Sequence, residues 1–423
     1  MKNIYKIILV TLAAAVLAGC CQDSRRLPVS NKVLTGKLPN GMTYYVRHNE
    51  EPAERASFYI IQNVGAILED DSQNGLAHFL EHMAFQGTEN FPGKGIIETL
   101  ERHAVSFGGN LNAYTAQNET VYNISSVPVT DKALVDTCLL ILHDWSDYLT
   151  LSDEEIDAER GVIEEEWRTR RSPSFRIGLQ TNPVIYKGSK YAVRDVIGDL
   201  DVIKSFEPET IRRFYTDWYR TDLQAIAVVG DIDAEEMVEK IKALFSPIPA
   251  VESPQERVNE TIPEHRERYY VVGTDKEATA TRLKLMTILP SVHENKDTYG
   301  YLKEGFYVNF FNSMVSSRLA EIMQQSNPPY LGGSIGYGSL VRGYGSYYCT
   351  AVAKPGEETE ALKTILSENE RIKRFGFSDS ELGEGQVAFP GRHGVFLQGA
   401  RQVLQRELHL GHQGKLPDGG AYC

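Results

Sequence analysis

Gly75-Leu76-Ala77-His78-Phe79-Leu80-Glu81-His82-Met83-Ala84-Phe85 is the stretch on which the reading of this chain turns. Leu76, Phe79, Leu80 and Met83 recur at helical spacing, and Asn74 stands where an N-cap is expected, so residues 75–85 are predicted to form a helix buried on one side. Positions i and i+4 of a helix share a face, which aims His78 and His82 at one place with Glu81 beside them. Two imidazoles so placed suit a zinc ion. A catalytic zinc takes three protein ligands and keeps one position open for water, whose pKa it lowers toward about 7. A third ligand is therefore still required, and Glu81 is placed to accept a proton rather than to bind the metal.

A second, acidic helix adds support. Ser152-Asp153-Glu154-Glu155 has the form of a capping box opening a helix over 152–171. Inside it Glu159 and Glu166 stand seven residues apart, two turns along one face, whereas Glu164 and Glu165 fall on other faces. These residues, the longer run 75–85 with Gly87-Thr88, and Asn112-Ala113-Tyr114-Thr115 followed by Glu119-Thr120-Val121-Tyr122 resemble the pitrilysin/insulinase family of zinc peptidases. The resemblance extends over roughly residues 33 to 380 and is strongest before residue 250.

That resemblance implies a set of roles. His78, His82 and Glu166 become the ligands of one Zn²⁺ per catalytic domain, and Glu81 becomes the general base. Glu159 supports catalysis by orienting a ligating histidine. Asn112, Ala113 and Tyr114 become the substrate-binding residues of an exposed strand edge, which would hold an extended peptide through backbone hydrogen bonds. The implied fold class is α+β: tandem repeats of the mitochondrial-processing-peptidase-like metallohydrolase fold, each a mixed or antiparallel sheet packed against helices. The implied activity is zinc-dependent endopeptidase hydrolysis of peptides or small unfolded proteins.

One departure bears on activity. The family pairs a Tyr with an Arg seven residues earlier for substrate binding and oxyanion stabilisation. Here the corresponding run is Arg318 to Tyr330, and the residue seven before Tyr330 is Met323. The chain therefore looks like the N-terminal half of a longer member, with the Arg/Tyr pair supplied by a C-terminal half or a second subunit. Alone it is expected to bind zinc and cleave poorly. The competing reading is an inactive peptide-binding or assembly subunit of a peptidase pair; an intact Glu81 argues against it, because a binding module needs no base.

Around these motifs the pattern is an irregular mixture of strands and helices. Residues 32–48 alternate around Asn40-Gly41 as a hairpin, 56–63 read as a strand, 95–103 as a helix and 110–128 as paired strands. Helices follow at 130–149 and 152–171; then come a helix at 207–219, a strand at 223–230 and a helix at 233–245. This defines a zinc-binding catalytic domain over 33–248 and a Pro-rich, charged linker over 249–266. A second, incomplete, non-catalytic domain of similar fold then spans 267–384, with strands at 268–274, 280–289, 331–337 and 345–353 and helices at 297–324 and 358–374. In the Gly-rich stretch 332–345 no Gly-Lys-Ser/Thr ending is present, so hairpin turns rather than phosphate binding are expected. His103, His143, His265 and His293 lack ligand-spaced neighbours.

The two ends carry a different message. Lys2 and Lys6 precede an apolar run from residue 7 to 17 that ends in Leu17-Ala18-Gly19-Cys20, too short to span a bilayer but suited to a signal-peptide core. Small residues before a cysteine resemble a lipoprotein cleavage site: a leader over 1–19, lipidated Cys20, a tether over 20–32, and a place in the bacterial cell envelope as a periplasmic or outer-membrane lipoprotein held to the membrane by its lipid. Residues 385–423 contain eight Gly and three His but no Ser, Thr, Asn or Ile, an abrupt change from the chain before them, and read as an anomalous tail, either non-native sequence or a divergent glycine-rich end. A net charge of −13 argues against a nucleic-acid partner. The remaining cysteines show no metal or disulfide spacing, and Cys138 and Cys349 are expected to be buried apolar residues.

Overall fold

The structure is a computed structural model, and it describes residues 24–381 apart from residue 294. The expected leader, Cys20 and the tail over 385–423 lie outside those residues. The chain divides into two compact units, residues 28–278 and residues 279 onward, the latter joined by 24–27.

Six strands form the sheet of the first unit: β1 (Val33–Lys37), β2 (Thr43–His48), β3 (Arg55–Gln62), β4 (Leu111–Thr115), β5 (Thr120–Pro128) and β6 (Gln224–Gly230). Their order is β1-β2-β6-β3-β5-β4, antiparallel throughout except for the parallel β2/β6 pair. The β1–β2 turn at Asn40-Gly41 is secured by the Asn40 amide, which donates to the carbonyls of Phe245 and Ile248 at 2.8 and 3.0 Å. In β3 the alternation is clean: Ala56, Phe58, Ile60 and Gln62 are buried, and the residues between them are half-buried or exposed. Period-2 patterning thus delivers one face to the core.

Eight helices surround this sheet: α1 (Leu76–Met83), α2 (Gly95–Glu101), α3 (Lys132–Asp147), α4 (Asp153–Arg170), α5 (Pro173–Ile185), α6 (Leu200–Ser205), α7 (Pro208–Trp218) and α8 (Ala234–Phe245). Asp131 caps α3, which lies over β3 and β5 and buries Leu134, Cys138, Leu142 and Trp145. Its last carbonyls, which no helical N–H can reach, are met by buried amides: Gln62 donates to Trp145 O at 3.3 Å and Gln224 to Ser146 O at 2.7 Å. Ser152 caps α4 by accepting from Glu155 N, but the return half of the predicted capping box is replaced by a Ser152 hydroxyl bond to Glu155. The short helix α1 rests against α4, β4 and α7.

The second unit is smaller. β7 (Thr281–Pro290), β8 (Gly332–Val341) and β9 (Tyr344–Ala353) form an antiparallel sheet in the order β7-β9-β8, covered by α9 (Tyr299–Met323) and α10 (Glu358–Phe375). The Gly-rich stretch is the β8–β9 hairpin, turning at Gly343 with φ +80°. Val315, Leu319, Tyr330, Ile335, Cys349 and Ile365 make its core. Arg318 clasps the far side of that core, bonding Glu381, Glu368 and the Gly376 carbonyl. The fold class is α+β, with each sheet packed on helices.

Four sequence expectations need correction. No strand forms over 268–274, despite its Tyr-Tyr-Val-Val composition. The Gln180 side chain there takes both the N–H and the carbonyl of Thr274, at 3.0 Å each, in place of a strand partner. Residues 267–278 also belong to the first unit rather than the second, held by the ion pair of Arg176 with Asp275 at 2.6 Å. Helices α5 and α6 occupy a stretch where the sequence marks no element; Pro183 inside α5 obscures it. Finally, Asn74 does not cap α1. The N-cap position is Gly75, at φ +104°.

That position is sterically closed. A Cβ on Gly75 would lie 2.9 Å from the Gly198 Cα, and one on Gly198, at φ +82°, would lie 2.2 Å from the Gly75 Cα. Only two glycines allow the chain to enter α1 here. Gly198→Ala is expected to destabilise the first unit by about 2 kcal/mol or more. The readout is a lower denaturant midpoint at unchanged m value; an unchanged midpoint would mean that the 195–199 loop yields freely.

Candidate metal centre

Helix α1 presents His78 and His82 one turn apart, their ring centroids 4.8 Å from each other. Helix α4 runs beside it with Ile156, Glu159 and Ile163 buried, a phase that also turns Glu166 toward α1. Glu166 Oε2 lies 3.6 Å from His78 Nε2 and 3.3 Å from His82 Nε2. Zinc–nitrogen and zinc–oxygen bonds of about 2.0–2.2 Å place tetrahedral donors roughly 3.4 Å apart; the two Glu166–histidine distances match that spacing, and one donor atom from each of the three side chains lies within 4.8 Å of the others. Among the described residues they are the one group of three His, Cys, Asp or Glu side chains able to hold a metal ion.

The residues around them fit the same chemistry. His82 Nδ1 donates to Glu159 Oε1 at 2.8 Å, which fixes the tautomer and leaves Nε2 facing Glu166. The other Glu159 oxygen accepts from the Gln86 amide at 2.6 Å. Arg170 holds the outer oxygen of Glu166 at 2.5 Å, leaving Oε2 directed at the histidines. Burial, reinforced by the nearby His82, pushes His78 down to about 4, so its imidazole is neutral at pH 7. For His82 burial acts in the same direction, but its bonds to Glu159 and Glu166 outweigh it and lift the pKa to about 9. A cation entering here would displace that proton, which couples metal uptake to pH.

Glu81 stands off the three-atom group. Its Oε2 accepts from the Thr115 hydroxyl at 2.6 Å, and burial raises its pKa against that bond. Asn112, Ala113 and Tyr114 lie on β4, the edge strand beside α1. Asn112 donates to the Gly109 carbonyl at 3.4 Å, and half-exposed Tyr114 donates to Glu119 at 3.1 Å. Glu164 and Glu165 point elsewhere, paired with Lys204 and Arg168. Tyr330 is fully buried in the second unit, and among the described residues its hydroxyl has no partner.

Sequence reasoning missed Glu69, Gln86 and Arg170. Gln86 and Arg170 sit four residues beyond His82 and Glu166 respectively, a phase that could have found them. Glu69 carries no such signal, being one acid in Glu69-Asp70-Asp71. It is fully buried, and its two oxygens accept from Gly75 N at 2.9 Å and Ala77 N at 2.8 Å, supplying α1 with the cap that Gly75 lacks.

Comparison with known proteins accords with this geometry. Residues 44–174 match the insulinase (peptidase family M16) model, and residues 205–387 match the peptidase M16 inactive domain. The chain belongs to the insulinase, or M16, family of zinc proteases. It is 31% identical over 385 residues to the probable zinc protease PqqL of Escherichia coli, covering 91% of this chain and 41% of that protein. The crystal structure of the first half of the periplasmic protease PqqL from the same organism superposes with a TM-score of 0.77 at 30% identity, over 89% of this chain and 79% of that one. The mitochondrial-processing peptidase β subunit of Saccharomyces cerevisiae is 31% identical over 221 residues, 52% of this chain and 46% of that subunit. The chain spans less than half the length of these curated relatives.

Glu69 permits a test by pH. Burial lifts its carboxyl from 4.5 to about 8, against the pull of the two N–H donors and of Arg194 and Lys190. The folded chain then holds this proton more tightly than the unfolded one, so the stability linked to it is full below about pH 4.5 and is lost as pH rises through 8. Glu69→Gln removes that component. Thermal midpoints of the wild type should therefore fall more steeply between pH 5 and 8 than those of the variant; parallel slopes would refute the assignment.

Proposed function

We propose that this chain is the zinc-bearing half of an endopeptidase that hydrolyses peptide bonds in peptides or small unfolded proteins. The observation that carries the reading is the grouping of donor atoms from His78, His82 and Glu166 within 4.8 Å of one another, with Glu81 next to His82 in α1 but not a member of the group. His78, His82 and Glu166 hold the metal, and Glu159 holds His82. Zinc, when bound, supplies Lewis acidity toward water and a peptide carbonyl. Glu81 takes a proton from the attacking water and returns it to the leaving amine.

The substrate lies along β4. Among the described residues this strand lies at the edge of the sheet, its outer side bridged only at Leu111, to Phe107, and an extended peptide adds to such an edge through main-chain hydrogen bonds. Asn112, Ala113 and Tyr114 are the residues that would line it. The burial of Tyr330, with Met323 and not Arg seven residues earlier, supports an oxyanion-stabilising pair outside this chain, in a C-terminal half or partner. The periplasmic description of the E. coli relative supports a place in the bacterial envelope, where Cys20 would anchor the chain by its lipid. Among the described residues no helix is long and apolar enough to cross a membrane.

Two measurements test the reading. Glu81→Gln should retain one zinc per chain by metal analysis while peptide hydrolysis falls by about 10²-fold or more; unchanged turnover would eliminate Glu81 as the base. Co-expression with the C-terminal half should raise peptidase activity well above that of the chain alone. Equal activity with and without it would refute the need for a partner.

A further inference from the structure

A general base works through one oxygen aimed along one line, and a glutamate is poorly built for that. Its terminal torsion is broad and its side chain carries about 1.5–2 kcal/mol of rotamer entropy. Something must hold Glu81, and among the described residues its one hydrogen-bond partner is Thr115. We propose that Thr115 is the positioning residue of the catalytic base: its hydroxyl occupies Glu81 Oε2, leaving Oε1 as the oxygen that exchanges the proton. This rests on the endopeptidase reading above and adds to it which oxygen acts and what holds it.

The donor direction follows from the neighbours. A threonine hydroxyl has one proton, and at 2.6 Å from a carboxylate that proton belongs to Glu81. The other hydroxyl near Thr115 is that of Thr120, at 3.4 Å, and it has a better acceptor in the Val64 carbonyl at 3.0 Å. Thr115 therefore donates to the base and receives at most a weak, shared bond from behind.

The mount is rigid. Thr115 is β-branched, with restricted χ1, and its backbone pairs with Thr120 at the closed end of the β4–β5 hairpin. The turn beyond it closes through Ala116 N to Glu119 O at 2.8 Å. It is also pinned from outside by Ala66 N to Ala116 O at 3.2 Å and Ile67 N to Gln117 O at 2.9 Å. Gly65 lies so close beneath that a Cβ there would meet Ala116 O at 2.3 Å. A rigid donor at the end of the proposed substrate strand ties two positions to one reference: the peptide on the β4 edge and the oxygen that serves it.

The test uses full-length protein and compares Thr115→Val with Thr115→Ser. Valine keeps the shape and removes the hydroxyl, whereas serine keeps the hydroxyl and removes the methyl. If Thr115 only packs, valine is the milder change; if it positions the base, serine is. Expected for Thr115→Val is a kcat lowered about 10- to 100-fold with KM within about twofold, and for Thr115→Ser a kcat within about threefold of wild type. Zinc content and thermal midpoint should match wild type in both. In a Glu81→Gln background, Thr115→Val should leave the Kd of an uncleaved peptide unchanged. A valine variant with wild-type kcat, a serine variant as impaired as valine, or a loss confined to KM, peptide Kd or zinc content would overturn the proposal. Glu81→Gln alone separates the two claims: if it still turns over, the peptidase reading fails; if it is dead while Thr115→Val is active, only the role of Thr115 fails.

Discussion

The bond between His82 Nδ1 and Glu159 Oε1 joins two helices that are distant in sequence, and much of the first unit is arranged around it. A buried carboxylate without partners is costly, by several kcal/mol even after relaxation, so Glu159 is tolerable inside only because His82 and Gln86 satisfy both of its oxygens. Once Glu159 is turned inward the phase of α4 is set, because Ile156 and Ile163 enter the core on the same face. Glu166, two turns further on, then has nowhere to point but toward the histidines. The metal-type shell is thus a consequence of helix phase and one buried ion-pair contact, with Arg170 trimming the final direction of Glu166.

The other half of the arrangement is the start of α1. This helix has eight residues, too few to be stable by propensity, so it survives on burial of Leu76, Phe79, Leu80 and Met83 and on its cap. The cap comes from Glu69, outside the helix, and the entry path needs Gly75 pressed on Gly198. A buried carboxyl group that accepts from two N–H groups at the start of the helix steadies a short segment whose other turn carries His82.

How much of this was legible depended on whether the signal was local. His78, Glu81 and His82 share one helical turn, and Glu159 and Glu166 share one face of another helix, so the 3.6-residue period grouped each set, and the family resemblance joined the two. Asn74 was the natural choice for a cap because Asn commonly fills that place; the carboxyl group that does the work comes from a loop, and nothing near Glu69 in sequence sets it apart from Asp70 and Asp71. Residues 268–274 failed for the opposite reason. Their composition suits a strand, but strand formation depends on a partner, and Gln180 offers a side-chain amide instead. Thr115 stood inside a quoted motif without a role, since the pairing of a strand terminus with Glu81 is a tertiary contact.

The β4 edge completes the argument. An unpaired strand edge invites unwanted pairing, and proteins limit that risk by keeping edges short and constrained. β4 has five residues, Tyr114 on its open face is tied to Glu119, and its end at Thr115 runs into a turn held by Ala66 and Ile67. Such an edge is too short to recruit a stray sheet yet long enough for the few residues around one peptide bond. Its position beside α1 places that short edge next to the metal-type shell and to Glu81. On the proposed reading, the same brevity that protects the edge from aggregation also confines a substrate to the register in which one peptide bond faces the base.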